Sequence, residues 1–447
     1  MDFQKYAIES KQNFLNDLDQ LLRIDTVLVE QPDVKEAPFG ENLVKALNYM
    51  LDLGNKYGFK TKNIDNVAGH IEYGEGEEVI GVLAHLDVVP TGEGWTNPPF
   101  EPAIRDGKLY ARGALDDKGA AVASLYALKA LKDMGVKLNK RVRLILGTDE
   151  ETESRGVKRY LEVEKMPDLG FSPDAEFPII YGEKGILSFD LISNKVNKVI
   201  KSFKAGDRYN VVPEVAYLTL NKDYKDEFLK FLEYKNYEGE IKDDTYIMYG
   251  KRAHAMEPKN GINAMLRMVE FIDTIVEDDF IKFINKYLQS SRLEKMNENF
   301  TDKEMGDLTS NVAVVDIENG KGKLGINFRY PINWNKEKFF RNLKTLTSSY
   351  NISVNLLSDS EPHYVSKEDS LVKTLHKSYV KYTKDDKTPD FTIGGGTYAR
   401  ALKRAVAFGP NFPSRPDVCH QVDEYIYVDD LIISIAIYAD AIKELGK

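Results

Sequence analysis

At 447 residues the chain is longer than one hydrophobic core usually serves, so more than one domain is expected. A formal net charge of -10, with acidic and basic residues interspersed, argues against a nucleic-acid or anionic-membrane partner. One cysteine, Cys419, excludes an internal disulfide framework. With acids at Asp2 and Glu9, no long apolar leader and no apolar stretch of about 20 residues, a cytoplasmic chain is expected.

Phe14, Leu18, Leu21 and Leu22 fall at helical spacing, as do Leu43, Leu47, Met50 and Leu51, with Gly54 or Gly58 as the stop of the second helix. Val79–Ala84 is a near-continuous apolar run, the signature of a strand buried on both faces. It is broken by His85, Leu86 and Asp87. Side chains two apart in an extended chain share a face, so His85 and Asp87 point the same way. A carboxylate beside an imidazole can hold its tautomer while the other ring nitrogen binds a metal. A Gly- and Pro-rich loop leads to LYARGALDDKG and a helix over 119–134. RVRLILGTDEE then reads as a second buried strand whose carboxyl end again carries acids. Strands alternating with helices predict an α/β fold, a mostly parallel sheet with helices on both faces. In such sheets ligands sit beyond the carboxyl ends of the strands.

After Gly185 the pattern changes to alternating strands (ILSFDLIS, EVAYLTL, TYIMYG, VAVVDI) with helical stretches at 223–233 and 262–276. NGKG at 319–322 predicts a hairpin, and a helix near 337–346 and the strand ISVNLL follow. This block reads as an α+β domain over 186–361, inserted into a catalytic domain made of 1–185 and 362–447.

His85, Asp116, Asp117, Glu150, Glu151, Asp174 and His420 each have an ordinary explanation. A helix start, a solvated strand end or a turn accounts for any one of them. Taken together, two histidines and several carboxylates at strand ends and loops form an N/O donor set suited to zinc, manganese or cobalt. Glu150 and Glu151, being adjacent, diverge, so one can bind metal while the other faces substrate as a general base.

The segments HLDVVP, ARGALDDKG, GTDEE, SPDAEFP, GKRAHAMEP, GINFRYP, TIGGGTYAR and CHQVDE, in this order, resemble the M20 di-metal peptidases, and among them the dipeptidase V-like branch. The resemblance covers nearly the whole chain and implies two divalent ions, zinc foremost, with manganese or cobalt as alternatives. His85 and Asp174 would hold one ion, Glu151 and His420 the other, and Asp116 would bridge them. Glu150 would be the general base and Asp87 the residue that orients His85. A cis peptide between Asp116 and Asp117 is also implied. The inserted domain would be a lid whose Asn210, His254 and Arg329 reach the substrate, His254 stabilising the oxyanion. Gly394, Gly395 and Gly396 would offer backbone N–H groups to it. The implied activity is hydrolysis of short peptides, dipeptides with free termini, by a monomer.

Three rivals stand beside this. An amidohydrolase acting on N-acyl amino acids would use the same centre. A catalytically dead metal- or peptide-binding protein would have no use for Glu150. A cysteine hydrolase using Cys419 and His420 is disfavoured because adjacent side chains in an extended segment diverge.

Overall fold

The computed structural model describes residues 1–447. The chain divides into two units. The first comprises Met1–Tyr181, Tyr364–Phe391 and Thr397–Lys447; the second comprises Gly182–His363 with Thr392–Gly396. The division after Tyr181 lies four residues before the boundary expected from the sequence. The stretch 392–396, expected with the catalytic domain, belongs to the second unit.

The first unit is built on a sheet whose leading six strands are, in spatial order, Lys60–Ile64, Ala68–Tyr73, Arg141–Gly147, Val79–His85, Leu169–Ser172 and Ala405–Ala407. The last four run parallel to one another. The first two are antiparallel additions, so the sheet is more mixed than the expected mostly parallel one. The reason is local. Asp65 and Asn66 both take positive φ, 51° and 59°, in the tight connection between the paired Ile64 and Ala68, and a hairpin can only return antiparallel. All seven residues of Val79–His85 are buried, as their apolar run requires.

Helices cover both faces. A Cβ on Gly54 would meet Ile71, so the helix Glu41–Lys56 lies on the face that Ile71 presents. His70, one residue away and pointing oppositely, bonds Tyr160 of the helix Arg155–Val163 at 2.8 Å. That short helix was not anticipated: it has nine residues, four of them charged, and its apolar face is only Val157, Tyr160 and Leu161. The helix Val428–Leu445 packs against Phe3–Leu22, Lys118–Asp133 and Ser370–Thr383. No helix is long and apolar enough to cross a membrane.

The second unit is an eight-stranded antiparallel sheet in the order Gly239–Lys242, Thr245–Tyr249, Val215–Leu220, Ile200–Ala205, Thr309–Glu318, Lys321–Tyr330, Gly185–Ser193 and Ile352–Ser360. Thr309–Glu318 and Lys321–Tyr330 form the hairpin expected at NGKG, with Asn319 and Gly320 at φ 54° and 74°. Helices Lys225–Lys235, Ala264–Ile275, Asp279–Tyr287 and Lys336–Ser348 contribute Phe228, Phe271, Phe283 and Phe339 to one core with the sheet.

Gly170 and Gly81 are register partners in the parallel centre of the first sheet, and a Cβ on Gly170 would lie 2.2 Å from the Gly81 carbonyl oxygen. A ladder carbonyl cannot step aside without breaking its own pairing. Gly170→Ala is therefore expected to destabilise by about 1–3 kcal/mol, read as a lower urea midpoint at unchanged slope.

Candidate active site

Three adjacent parallel strands deliver their carboxyl ends to one place. Val79–His85 ends on His85, with Asp87 two residues on. Arg141–Gly147 leads into Glu150 and Glu151, and Leu169–Ser172 into Asp174. Asp116 arrives from the loop before the helix Lys118–Asp133, through a cis peptide to Asp117, and His420 from the loop before the strand Tyr425–Tyr427. The placement follows from the strand order, which sets the ends side by side.

The donors fall into two triplets, His85 with Asp116 and Asp174, and Asp116 with Glu151 and His420. Within each, the donor atoms lie within 4.8 Å of one another. Asp116 belongs to both, and its two oxygens divide the work. Oδ1 lies 2.9 Å from His85 Nε2, and Oδ2 lies 3.0 Å from His420 Nε2. Asp174 Oδ1 stands 3.6 Å from His85 Nε2, and Glu151 Oε1 stands 3.2 Å from His420 Nε2. Imidazole and carboxylate donors in two sets sharing one carboxylate fit a pair of divalent ions. Glu150 belongs to neither set, although its neighbour does.

Electrostatics reflect this crowding. Burial, with the charge of Asp174 next, pushes the Glu150 carboxyl well above its ordinary range; burial and Asp116 push Glu151 up. Burial also raises Asp174, against the opposing charge of His85. Burial would raise Asp116 too, but its bonds to His420 and His85 hold it below the usual carboxylate range. His420 is lifted to about 10 by its bonds to Asp116 and Glu151. Burial alone would lower His85, yet the charge of Asp174 and the surrounding carboxylates hold it well above the usual value.

The second histidine nitrogen is engaged in a way that the sequence did not disclose. His85 Nδ1 lies 3.0 Å from the backbone carbonyl of Asp87, with the Asp87 carboxylate at 3.5 Å. That carboxylate, 1 % exposed, instead accepts the backbone N–H groups of Glu150 and Glu151, each at 3.0 Å. It therefore acts on the neighbouring strand end as well as on the histidine. Asp117 holds the N-cap position of its helix but caps nothing; its carboxylate accepts the His85 N–H at 3.1 Å.

Residues of the second unit form a cluster of their own. Asn210 and His254 are exposed and sit on paired segments, Ala255 N–H donating to the Asn210 carbonyl at 2.9 Å. His254 Nδ1 accepts from Met256 N–H at 3.1 Å. Loss of hydration, then the charge of Arg329, lowers the His254 pKa. With Nδ1 accepting from Met256, the ring proton belongs on Nε2. Arg329, 4 % exposed, donates from Nε to Asn327 at 2.9 Å and from Nη1 to the Gly394 carbonyl at 3.1 Å. Gly394 is pressed against Met256, with no room for a Cβ, whereas Gly395 has only ordinary contacts and Gly396 is exposed.

Several residues with evident roles were passed over. Glu424 and Tyr398 stood inside the motifs CHQVDE and TIGGGTYAR without being singled out. Tyr398 is buried edge-on to the His85 ring at 5.9 Å. Asn311 carries no motif; nothing in the sequence sets it apart from any strand asparagine.

An imidazole–carboxylate pair of donor sets with a further glutamate beside them is the equipment of a two-metal hydrolase. Residues 81–444 match the model of peptidase family M20/M25/M40, and the chain belongs to that family, as the resemblance implied. It is 44% identical over 467 residues to "Putative dipeptidase YtjP" of Bacillus subtilis (strain 168), covering all of both chains. Its fold is similar to human carnosine dipeptidase 1, with a TM-score of 0.62 at 14% identity, covering 100% of this chain and 98% of that one. It is also similar to the di-peptidase Dug1p of Saccharomyces cerevisiae, with a TM-score of 0.60 at 15% identity, covering 99% and 98%.

Asn311, 1 % exposed, donates from one amide nitrogen to the carbonyls of Tyr209 at 3.1 Å and Val211 at 2.8 Å, the two residues flanking Asn210. Asn311→Ala strips these part-buried carbonyls of this donor, at a cost of about 1–3 kcal/mol. Faster amide exchange at Val212 and Ala255, whose N–H groups join the Asn210 and His254 segments, should accompany the loss in denaturation experiments.

Proposed function

We propose that the protein is a metal-dependent dipeptidase that hydrolyses short peptides with free termini. The observation that carries this reading is Asp116, whose two carboxylate oxygens face two different histidines from two donor sets. His85 and Asp174 would hold one divalent ion, Glu151 and His420 the other, with Asp116 common to both. Zinc is the first choice for such N/O sets and manganese or cobalt the next. When bound, such ions polarise a carbonyl and make a water acidic enough to lose its proton near neutrality.

The chain's own groups do the rest. Glu150, raised by burial and by Asp174, is suited to take the proton of the attacking water and return it to the leaving amine. Asp87 orients His85 and ties down the turn that presents Glu150. His254 donates its Nε2–H to the developing oxyanion. Arg329 and Asn210 hold the substrate's terminal carboxylate, for which a guanidinium fork is well shaped, and Gly394, Gly395 and Gly396 offer it backbone N–H groups. A monomer acting in the cytoplasm, with no nucleic-acid or membrane partner, completes the reading.

The direct test is a panel of free dipeptides, C-terminally amidated dipeptides and N-acetyl amino acids given to the zinc-, manganese- or cobalt-loaded protein. Turnover of free dipeptides, abolished by a chelator and restored by one added metal, is expected, together with a sharp loss on amidation. Hydrolysis of N-acetyl amino acids without turnover of any free dipeptide would instead assign an amidohydrolase.

His254→Ala separates this mechanism from catalysis by the ions alone. Loss of one oxyanion donor typically lowers kcat by about 10²–10³, or roughly 2.7–4 kcal/mol. Metal content and melting temperature should stay at their wild-type values and KM should change little. A kcat close to that of the wild type would remove His254 from the mechanism.

A further inference from the structure

Glu424 is a fully buried carboxylate that accepts four hydrogen bonds, all from one short loop. Its Oε2 accepts from Arg112 Nη1 at 2.7 Å and Gly113 N–H at 3.1 Å. Its Oε1 accepts from Leu115 N–H at 2.8 Å and Asp116 N–H at 3.2 Å. The Glu424 carbonyl in turn accepts Ala111 N–H at 3.2 Å. The loop 111–116 is thus wrapped around a single side chain. Gly113 makes this wrapping possible, with φ +85° and a Cβ position 3.0 Å from Val88. Arg112, 1 % exposed, supplies the countercharge.

The far end of the same segment carries His420, four residues before Glu424 and at φ 61°. One side chain therefore ties the loop that presents Asp116 to the loop that presents His420. These are two of the three donors in the second set, and their facing atoms are 3.0 Å apart.

We propose that Glu424 is a positioning residue that fixes Asp116 relative to His420 and thereby sets the affinity of the second ion site. It touches no proposed donor atom; it acts through the Asp116 backbone N–H. The inference rests on the reading of Asp116, Glu151 and His420 as a divalent-ion site. Carboxylate is required because all four partners are donors, so an amide must turn its NH₂ toward at least one of them.

The experiment is titration of the full-length, metal-free protein with Zn²⁺ against a chromophoric chelator, for wild type, Glu424→Gln, Glu424→Asp and His420→Ala. Wild type should bind two ions, and His420→Ala shows what loss of the second site looks like. Glu424→Gln should weaken one of the two sites by about 10–100-fold, the range for groups that orient a ligand, and leave the other within about threefold of wild type. A selective loss of this kind is not what general destabilisation gives, since that would weaken both. Glu424→Asp, which keeps the charge, should recover part of the affinity and stands in if the glutamine variant does not fold. Folded Glu424 variants with both wild-type affinities would overturn the positioning role. Two ions bound undiminished by His420→Ala, or none bound by wild type, would instead overturn the site reading beneath it.

Discussion

Like charge packed away from water is the constraint that governs this molecule. Asp116, Asp117, Glu150, Glu151 and Asp174 converge at the ends of three strands, where water is largely excluded and mutual repulsion is weakly screened. A chain optimised for stability alone would not gather them. Their pKa values spread accordingly: four are driven upward, and Asp116 alone is held down because it lies between both histidines. His85 and His420 supply positive charge from within, but two imidazolium groups do not balance five carboxylates. Two divalent ions would supply more charge, and the donor triplets are disposed to receive it.

Such a cluster persists only if its backbone is fixed independently of the charges it presents. Three buried carboxylates, Asp117 and two outside the cluster, provide that. Asp117 takes the N–H of His85, Asp87 those of Glu150 and Glu151, and Glu424 those of Leu115 and Asp116. Each reaches from one donor-bearing segment to the next, so the strand end, the turn after the neighbouring strand and the two loops become one hydrogen-bonded frame. These bonds are charge-assisted, roughly twice as strong as neutral ones, and they satisfy backbone donors that a ligand-bearing loop could not otherwise pair. The acids proposed to bind ions and the acids that take backbone N–H groups are thus different residues, although they alternate along the sequence at 116–117.

That alternation explains what the sequence disclosed and what it withheld. The buried strands over 79–85 and 141–147 were legible from unbroken apolar runs, and the NG turn from its two residues. His85, Asp116, Glu150, Glu151, Asp174 and His420 were legible as candidates because each interrupts a pattern that would otherwise be apolar or turn-like, and because they stand in family order. The hairpin over 60–73 was not, since its first strand, KTKNI, is mostly polar and exposed and has no apolar alternation to read. Nor was Glu424: a carboxylate that serves backbone N–H groups looks, in one dimension, like any surface acid. The role of Asp87 was read only in part, because its Glu150 and Glu151 partners lie more than sixty residues away. The stretch 392–396 was assigned with its chain neighbours, whereas its bonds to Arg329 and Lys184 place it in the second unit.

The second unit solves a different problem by the same means. An imidazole that is to donate a hydrogen bond to developing negative charge must be neutral, in one tautomer and fixed before the charge appears. Met256 N–H occupies Nδ1, which puts the proton on Nε2 without any side chain having to choose it. Loss of hydration, and after it the charge of Arg329, lowers the pKa of that ring, while the guanidinium itself is held by Asn327 and the Gly394 carbonyl. In the proposed mechanism Arg329 would both favour a neutral His254 and offer a fork suited to a substrate carboxylate. Substituting lysine would retain the charge but lose the planar fork that meets Asn327 and Gly394 at once. The arginine is thereby needed for geometry as much as for sign, and its burial among antiparallel strands is what fixes that geometry.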